Sequence, residues 1–205
     1  YEGGPPQEVG ISLGDPAAGI ATAYLLIAAL IARRRTGEGQ FIDTSLWEAT
    51  ASSTAEGWTQ KILTGNQPEP CGNRDPIMAP HNLYRCKGDD DWVAITCAND
   101  EEWRDLADLL GINDDKFSTQ QSRKAFEDEL DVLIGDWTLT KDQWEVTRLL
   151  QGHGIAAIPS LDAHSLETDP HLNDRDFIER LEHPVVGKMA HTGIPWLASN
   201  SPNGV

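Results

Sequence analysis

The chain has 205 residues, of which 39% are hydrophobic, and it carries a formal net charge of -17 at pH 7. This composition is that of a water-soluble folded protein with one or two domains, and the negative charge argues against binding to nucleic acid or to an anionic membrane. The three cysteines, Cys71, Cys86 and Cys97, form no Cys-x-x-Cys pair. We expect free thiols in a cytoplasmic protein, with no metal site.

The first predicted element is an uncharged helix over residues 20–32, rich in alanine and leucine. Its apolar run falls short of the about 20 residues that a helix needs to cross a bilayer. We therefore expect this helix to be buried in a protein core, and we expect no membrane-spanning segment.

Asp15 lies directly before this helix, in the segment Gly-Asp-Pro-Ala-Ala-Gly at residues 14–19. An aspartate followed by proline before an apolar run predicts a helix N-cap, with Pro16 at the first helical position. Gly14 and Gly19 carry no side chain and would let a ligand approach closely. An exposed carboxylate held in this way could act as a nucleophile, although capping alone is the more common role of such an aspartate.

The next segment is predicted to contain a strand at residues 40–46 and a helix over about residues 47–63. The sequence Thr-Gly-Asn-Gln-Pro-Glu-Pro at residues 64–70 breaks regular structure, so we place a domain linker there. Two short strands at residues 83–86 and 92–97 follow. The acidic loop between them lacks the spacing of a calcium site, which indicates a solvated turn.

Three helices are predicted after these strands. Asn99 and Glu102 have the spacing of a capping box at the start of the first helix, and Gly111 ends it. Apolar residues at helical spacing predict a second helix around residues 126–137 and a third that opens at residues 140–143.

The last part of the chain is predicted to contain a strand over residues 155–159 and a short helix that ends at about residue 167. From residue 169 the sequence becomes polar, which predicts irregular chain. The mixture of helices and strands places the protein in the α/β class.

An ordered set of motifs runs through nearly the whole chain and is more informative than any one of them. The motifs are Gly-Asp-Pro-Ala-Ala-Gly (14–19), Arg-Thr-Gly-Glu-Gly-Gln (35–40), Gly-Asn-Arg-Asp-Pro (72–76), Ala-Pro-His-Asn-Leu-Tyr-Arg-Cys (79–86), Gly-Ile-Ala-Ala-Ile-Pro (154–159) and Gly-Ile-Pro-Trp-Leu-Ala-Ser (193–199). In this order they resemble the family III CoA-transferases, which include carnitine and formyl-CoA transferases.

The resemblance implies an organisation in three parts. Residues 1–66 would be the C-terminal part of a Rossmann-like large CoA-binding domain, residues 67–168 a small α/β domain, and residues 169–205 a segment that returns to the large domain. Family members have a large N-terminal stretch before the aspartate and form intertwined homodimers. We therefore expect the chain to be a fragment of a cytoplasmic homodimeric enzyme.

In that family the aspartate of the Gly-Asp-x-x-x-Gly segment is the catalytic nucleophile, and the resemblance assigns this role to Asp15. Its carboxylate would attack an acyl-CoA thioester to give a mixed anhydride. The released CoA thiolate would then attack the aspartyl carbonyl to give an enzyme-bound CoA thioester, and the acceptor acid would repeat these steps in reverse. The resemblance implies CoA as a co-substrate and no metal.

The resemblance also predicts residues around the reacting aspartate. Formyl-CoA transferases carry a run of glycines that closes over it, and the matching segment here is bulkier and stiffer, which argues against an oxalate-type substrate. We expect substrate contacts from Gly14, Gly19, Asp75, Pro76, Ile77, Met78, Ala79 and His81, and a CoA contact from Leu46. A plain turn between domains is the other interpretation of the segment at residues 75–81.

Two alternatives stay open. The α-methylacyl-CoA racemases of the same superfamily use the equivalent aspartate as an acid–base catalyst, with an upstream histidine and a glutamate after the strand that matches residues 92–97. The position that matches this glutamate is Asn99, which lacks the carboxylate, so CoA transfer is favoured. The second alternative is a catalytically silent scaffold module in which Asp15 only caps a helix.

Overall fold

The computed structural model describes residues 4–5 and 12–201. Helices and antiparallel strands are both present, which confirms the α/β class. The chain forms two compact units, Tyr1–Gly72 and Asn73–Val205. The three-part organisation at residues 66 and 168 stays a prediction.

The first unit contains three helices, α1 (Gly14–Thr36), α2 (Leu46–Ser53) and α3 (Ala55–Thr64). The predicted strand at residues 40–46 is wrong: residues 40–45 form neither helix nor strand, and Ser45 caps α2 by accepting a hydrogen bond from Glu48 N. The predicted single helix that follows is interrupted at Thr54, whose backbone leaves the helical region.

Helix α1 is longer than predicted, because the arginines that follow the uncharged run continue it to 23 residues. The prediction of a buried core helix is wrong for the described chain. Only Ala18 is buried, and the side chains of Ile20 and Tyr24 are 73% and 72% exposed. By length and composition α1 could also cross a membrane, a property that it shares with helices covered by other polypeptide.

The second unit is built on a three-stranded antiparallel sheet in the order β1-β2-β3, formed by β1 (His81–Arg85), β2 (Trp92–Thr96) and β3 (Ala156–Ser160). Between β2 and β3 the chain forms helices α4 (Asp100–Leu110), α5 (Gln120–Ala125), α6 (Glu127–Thr138) and α7 (Gln143–Gly152). The predicted strands and three of these helices are confirmed, whereas the sequence analysis missed α5.

Local signals explain where these helices begin and end. Asn99 caps α4 by accepting hydrogen bonds from two backbone N–H groups, and Gly111 ends it in the left-handed conformation that glycine allows. Helix α7 is capped by Asp142, not by Thr140 as the predicted start implied. Helix α5 begins at a Thr119–Ser122 capping box, which is hard to recognise because serine replaces the usual glutamate or glutamine.

The core of the second unit lies between one face of the sheet and the helices. Alternate strand residues point into it, which is the pattern expected of a sheet with one covered face. The buried apolar side chains are those of Tyr84, Cys86, Val93, Ile95, Cys97, Trp103, Leu106, Ala107, Phe117, Leu130, Ile134, Val146, Leu150, Ile155 and Ala157.

Residues 163–192 are mostly regular, contrary to the prediction of irregular chain from residue 169. After α8 (Ala163–Thr168), the side chain of Asp169 accepts a hydrogen bond from Leu172 N and caps α9 (Pro170–Asp174). Strands β4 (Ile178–His183) and β5 (Gly187–Thr192) then pair as an antiparallel hairpin. Polar strand residues obscured the hairpin in the sequence, because neither of its faces is deeply buried.

The buried cysteines provide a test of this core. Burial raises the pKa of the Cys86 thiol to about 11 and that of Cys97 to about 12, whereas Cys71 is exposed. The thiolate is the reactive form, so iodoacetamide at about pH 8 should alkylate Cys71 in the native full-length protein and spare the other two until the protein unfolds. Peptide mass spectrometry measures the labelling. Early modification of Cys86 or Cys97 would contradict the described core.

Candidate active site

Asp15 is exposed and occupies the second position of α1. The prediction that it is the N-cap is wrong. Leu13 already has helical backbone angles, with φ -55° and ψ -30°, so the helix begins before the aspartate. The N–H of Asp15 donates to the carbonyl of Ser12 at 3.2 Å, and Pro16 is the third helical residue.

The new position changes the physical role of the Asp15 side chain. Within the described part of the chain, no hydrogen bond holds its carboxylate. A negative charge in the first turn is nevertheless stabilised by the positive end of the helix dipole, by about 0.3–1 kcal/mol. The carboxylate is thus accessible among the described residues, and the helix dipole favours its charge.

Gly14 and Gly19 differ in what surrounds them. A Cβ atom built on Gly14 would lie 3.0 Å from Oγ1 of Thr50 in α2, so glycine permits a close approach of the two helices at this point. A Cβ atom on Gly19 would meet no atom of the described residues within 4 Å. Leu46, the first residue of α2, is half exposed, and its carbonyl accepts the Thr50 hydroxyl at 2.8 Å.

The segment at residues 75–81 lies in the second unit and leads into β1, whose first residue is His81. Oδ1 of Asp75 accepts the N–H groups of Ile77 at 2.7 Å and Met78 at 2.8 Å. The hydrogen bonds from Met78 and Ile77 hold the pKa of Asp75 below its ordinary value of 3.8. Because folding lowers the pKa of Asp75, its ionised carboxylate stabilises the folded state at pH values above the ordinary pKa. This stabilisation is lost as the pH falls through the lowered pKa.

The His81 ring contacts the chain just before the 75–81 segment. Its Nδ1 lies 2.6 Å from the carbonyl of Asn73, and a substrate contact by His81 stays a prediction. Met78 is half buried and Ala79 is buried, whereas Ile77 is 70% exposed. Ile77 is therefore the apolar side chain that the segment presents to its surroundings.

The predicted site residues divide between the two units. Gly14, Asp15, Gly19 and Leu46 lie at the starts of α1 and α2, and the 75–81 segment belongs to the second unit. The sequence analysis missed the side chains of α5 that contact this segment, since α5 itself was missed. Among the described residues, no cluster of three or more His, Cys, Asp or Glu side chains could hold a metal ion.

Comparison with known proteins decides the family, because the model of CoA-transferase family III matches residues 1–205. The chain belongs to this family. It is 32% identical to the succinyl-CoA–D-citramalate CoA-transferase of Chloroflexus aurantiacus, over 98% of this chain and 51% of the relative. It is 30% identical to the succinyl-CoA:mesaconate CoA-transferase of Haloarcula hispanica, over 88% of this chain and 46% of the relative.

A solved structure supports the fold of this family III chain. The crystal structure of a CAIB/BAIF family protein from Brucella suis superposes with a TM-score of 0.85 at 26% identity, covering 97% of this chain and 52% of that protein. The chain therefore spans about half the length of these relatives.

Gly14→Ala and Gly19→Ala form a matched pair that tests the packing at the start of α1. Alanine favours a helix interior over glycine by about 0.5–1 kcal/mol, so Gly19→Ala should lower the melting temperature of the full-length protein less than Gly14→Ala does. Gly14→Ala should lower it, because its Cβ would crowd Thr50. Scanning calorimetry measures both values.

Thr50→Ala provides the control for this pair. It removes the oxygen that the new methyl group would meet, so the Gly14→Ala/Thr50→Ala double variant should recover stability relative to Gly14→Ala. Equal melting temperatures for the two glycine variants would show that α1 and α2 do not approach closely at residue 14.

Proposed function

We propose that the protein containing this chain transfers coenzyme A between an acyl-CoA donor and a carboxylic acid acceptor, with Asp15 as the nucleophile. The match of the whole chain to CoA-transferase family III carries the proposal. The exposed carboxylate in the first turn of α1 supports the choice of residue. Two relatives have succinyl-CoA in their names, so succinyl-CoA is the first donor to test.

The proposed reaction has four steps that conserve all atoms. The Asp15 carboxylate attacks the thioester carbonyl, and CoA leaves as a thiolate. The thiolate attacks the aspartyl carbonyl of the mixed anhydride, which releases the donor acid and leaves CoA on Asp15. The acceptor carboxylate then displaces CoA to form a second anhydride, and the thiolate attacks the acceptor carbonyl, which frees Asp15.

The start of α1 suits these steps electrostatically. Each step passes through an intermediate with a negatively charged oxygen, and each releases an anion. Fixed dipoles stabilise such charges without reorganisation, and the first turn of a helix provides one. An exposed side chain at this position can also be reached by a large acyl-CoA.

A racemase is less well supported. Asn99 stands at the position of the racemase glutamate, and its side chain caps helix α4. Oδ1 of Asn99 accepts the N–H groups of Glu101 and Glu102 at 3.0 Å and 2.9 Å. Its Nδ2 donates to Oε1 of Glu102 at 2.8 Å. The amide is thus used in capping α4, and it offers no carboxylate to support a catalytic histidine.

We further propose that residues 75–81 select the acceptor acid. Pro76 and Pro80 restrict the backbone of this segment, and the turn around Asp75 restrains it further. Ile77 adds exposed apolar surface. A stiff apolar segment should disfavour small, doubly charged acids such as oxalate and should favour larger or partly apolar ones.

The assembly and location of the enzyme are also proposals. We propose a cytoplasmic homodimer in which the apolar surface of α1 is covered by polypeptide and not by lipid. Exposed apolar side chains lie on all sides of α1, which is typical of a helix with neighbours all around it. The relatives extend well beyond the matched region and have chain enough to supply such neighbours.

The nucleophile can be tested by trapping. The full-length protein incubated with succinyl-CoA and no acceptor should accumulate a CoA adduct on the peptide that contains Asp15, and hydroxylamine should convert this residue to a hydroxamate. Asp15→Asn should abolish the adduct and lower transferase activity by several orders of magnitude. Its melting temperature should change little, because the side chain caps nothing and its charge is worth only about 0.3–1 kcal/mol.

Intact-protein and peptide mass spectrometry measure the adduct, and coupled assays measure the transfer. Substantial transfer by Asp15→Asn would remove Asp15 from the mechanism. Exchange of the α-proton of the substrate with solvent, without any adduct, would instead support the racemase.

Acceptor selection is tested by replacing residues 75–78 with glycine. The loosened segment should broaden the range of acids accepted while the Asp15 adduct still forms. One methylene group changes the discrimination between two acids by only about 1–3 kcal/mol. The loss of discrimination should therefore be gradual along a series of acids of increasing length. Values of kcat/KM for this series provide the measurement.

The matched control is Asp89→Gly/Asp90→Gly in the exposed loop between β1 and β2. It also adds glycines to the second unit but leaves the 75–81 segment intact, so the order of preference should be that of the wild type. An unchanged order in the 75–78 variant would show that this segment is only a structural turn.

A further inference from the structure

Three side chains of α5 donate hydrogen bonds to backbone carbonyls of the 75–81 segment. The pairs are Gln120 Nε2 with Ile77 O at 3.0 Å, Arg123 Nε with Ala79 O at 2.7 Å, and Lys124 Nζ with Asp75 O at 2.7 Å. Positions 120, 123 and 124 share one face of a helix. The three acceptors are alternate residues of the segment, so one helix face holds the segment along most of its length.

The segment has few hydrogen bonds of its own. Its internal contacts are the two bonds that Asp75 accepts at its start, and Pro76 and Pro80 have no N–H to donate. At its end, Pro80 O accepts the N–H of Cys97 at 3.0 Å. Between these points the hydrogen bonds that hold its backbone carbonyls come from α5, while Ala79 and Pro80 are also packed in the interior.

Arg123 is the most constrained of the three donors. It is completely buried, and its two terminal nitrogens donate to Phe117 O at 3.1 Å and to Asp100 Oδ1 at 2.8 Å. Its guanidinium group also lies 5.3 Å from the centre of the Trp103 ring. Because Phe117, Asp100 and Trp103 hold the guanidinium group, it fixes the Ala79 carbonyl in one place. Gln120 and Lys124 are only partly buried.

We propose that Gln120, Arg123 and Lys124 are positioning residues that set acceptor selectivity by holding the 75–81 segment in one conformation. This inference rests on the proposed function of that segment. The three side chains act through the backbone and touch no reacting atom. Loss of their hydrogen bonds should therefore change which acid is accepted and leave the formation of the CoA adduct on Asp15 unchanged.

The test uses the full-length Gln120→Met/Lys124→Met variant, because methionine keeps the length of both side chains and removes the donors. Arg123 is left intact, since removing a buried, paired charge would destabilise the fold. Lys124 Nζ also pairs with the buried Glu127 carboxylate at 2.6 Å, so the double variant is compared with Glu127→Gln as well, which loses this ion pair and keeps both donors. Lys116→Met is the control: it removes a lysine and its ion pair with Glu129 in the same unit, and it touches no atom of the segment. Lys124→Arg is the conservative variant, which keeps a cationic donor.

Two measurements are made on each variant. Hydrogen exchange, followed by mass spectrometry, reports the protection of the Ile77 and Met78 amides, which should fall by about tenfold or more in the double variant. The ratio of kcat/KM between the best and the worst acid of the series should fall by about tenfold, while the rate of adduct formation stays constant. Lys116→Met should match the wild type in both, and Lys124→Arg should stay close to it.

The outcomes separate this inference from the function on which it rests. Unchanged amide protection in the double variant would overturn the inference whether or not the protein transfers CoA. Faster exchange with unchanged acceptor preference would overturn it as well, because the held conformation would then not select the acid. Absence of any CoA adduct in the wild type would instead overturn the proposed function, and the exchange measurement would still test the contacts.

Discussion

The buried guanidinium of Arg123 constrains several elements of the second unit at once. It binds the first turn of α4 through Asp100, the turn before α5 through Phe117, and the segment before β1 through Ala79. Removing one partner of a buried charge costs about 3–5 kcal/mol. Helices α4 and α5 and the 75–81 segment are therefore joined by one side chain that has no contact with solvent.

A second polar network supports the same region from α6. Asp131 accepts hydrogen bonds from Tyr84 Oη at 2.7 Å, from Arg74 at 2.8 Å and from Asn82 at 2.9 Å. Tyr84 and Asn82 belong to β1, and Arg74 stands immediately before the 75–81 segment. Both ends of this segment are thus attached to the helical layer, which is the arrangement that a rigid selecting element requires.

The first unit has a different character. Its helices expose large apolar side chains, among them Ile20, Tyr24 and Trp47, at 73%, 72% and 83% exposure. Large exposed apolar patches commonly mark surfaces that another chain or segment covers. The proposed nucleophile stands at the start of the helix that carries much of this surface. The same helix thus presents the carboxylate at one end and packing surface along its length.

The sequence by itself determined the α/β class, the family, the strands of the sheet and the cap of α4 at Asn99, because these follow from local periodicity, capping residues and an ordered set of motifs. Only the tertiary structure decided the start of α1. Leu13 adopts a helical conformation that the local sequence does not predict. The tertiary structure also revealed the role of α5. Gln120 and Ile77 are 43 positions apart, and a hydrogen bond between a side chain and a distant carbonyl leaves no pattern in the sequence.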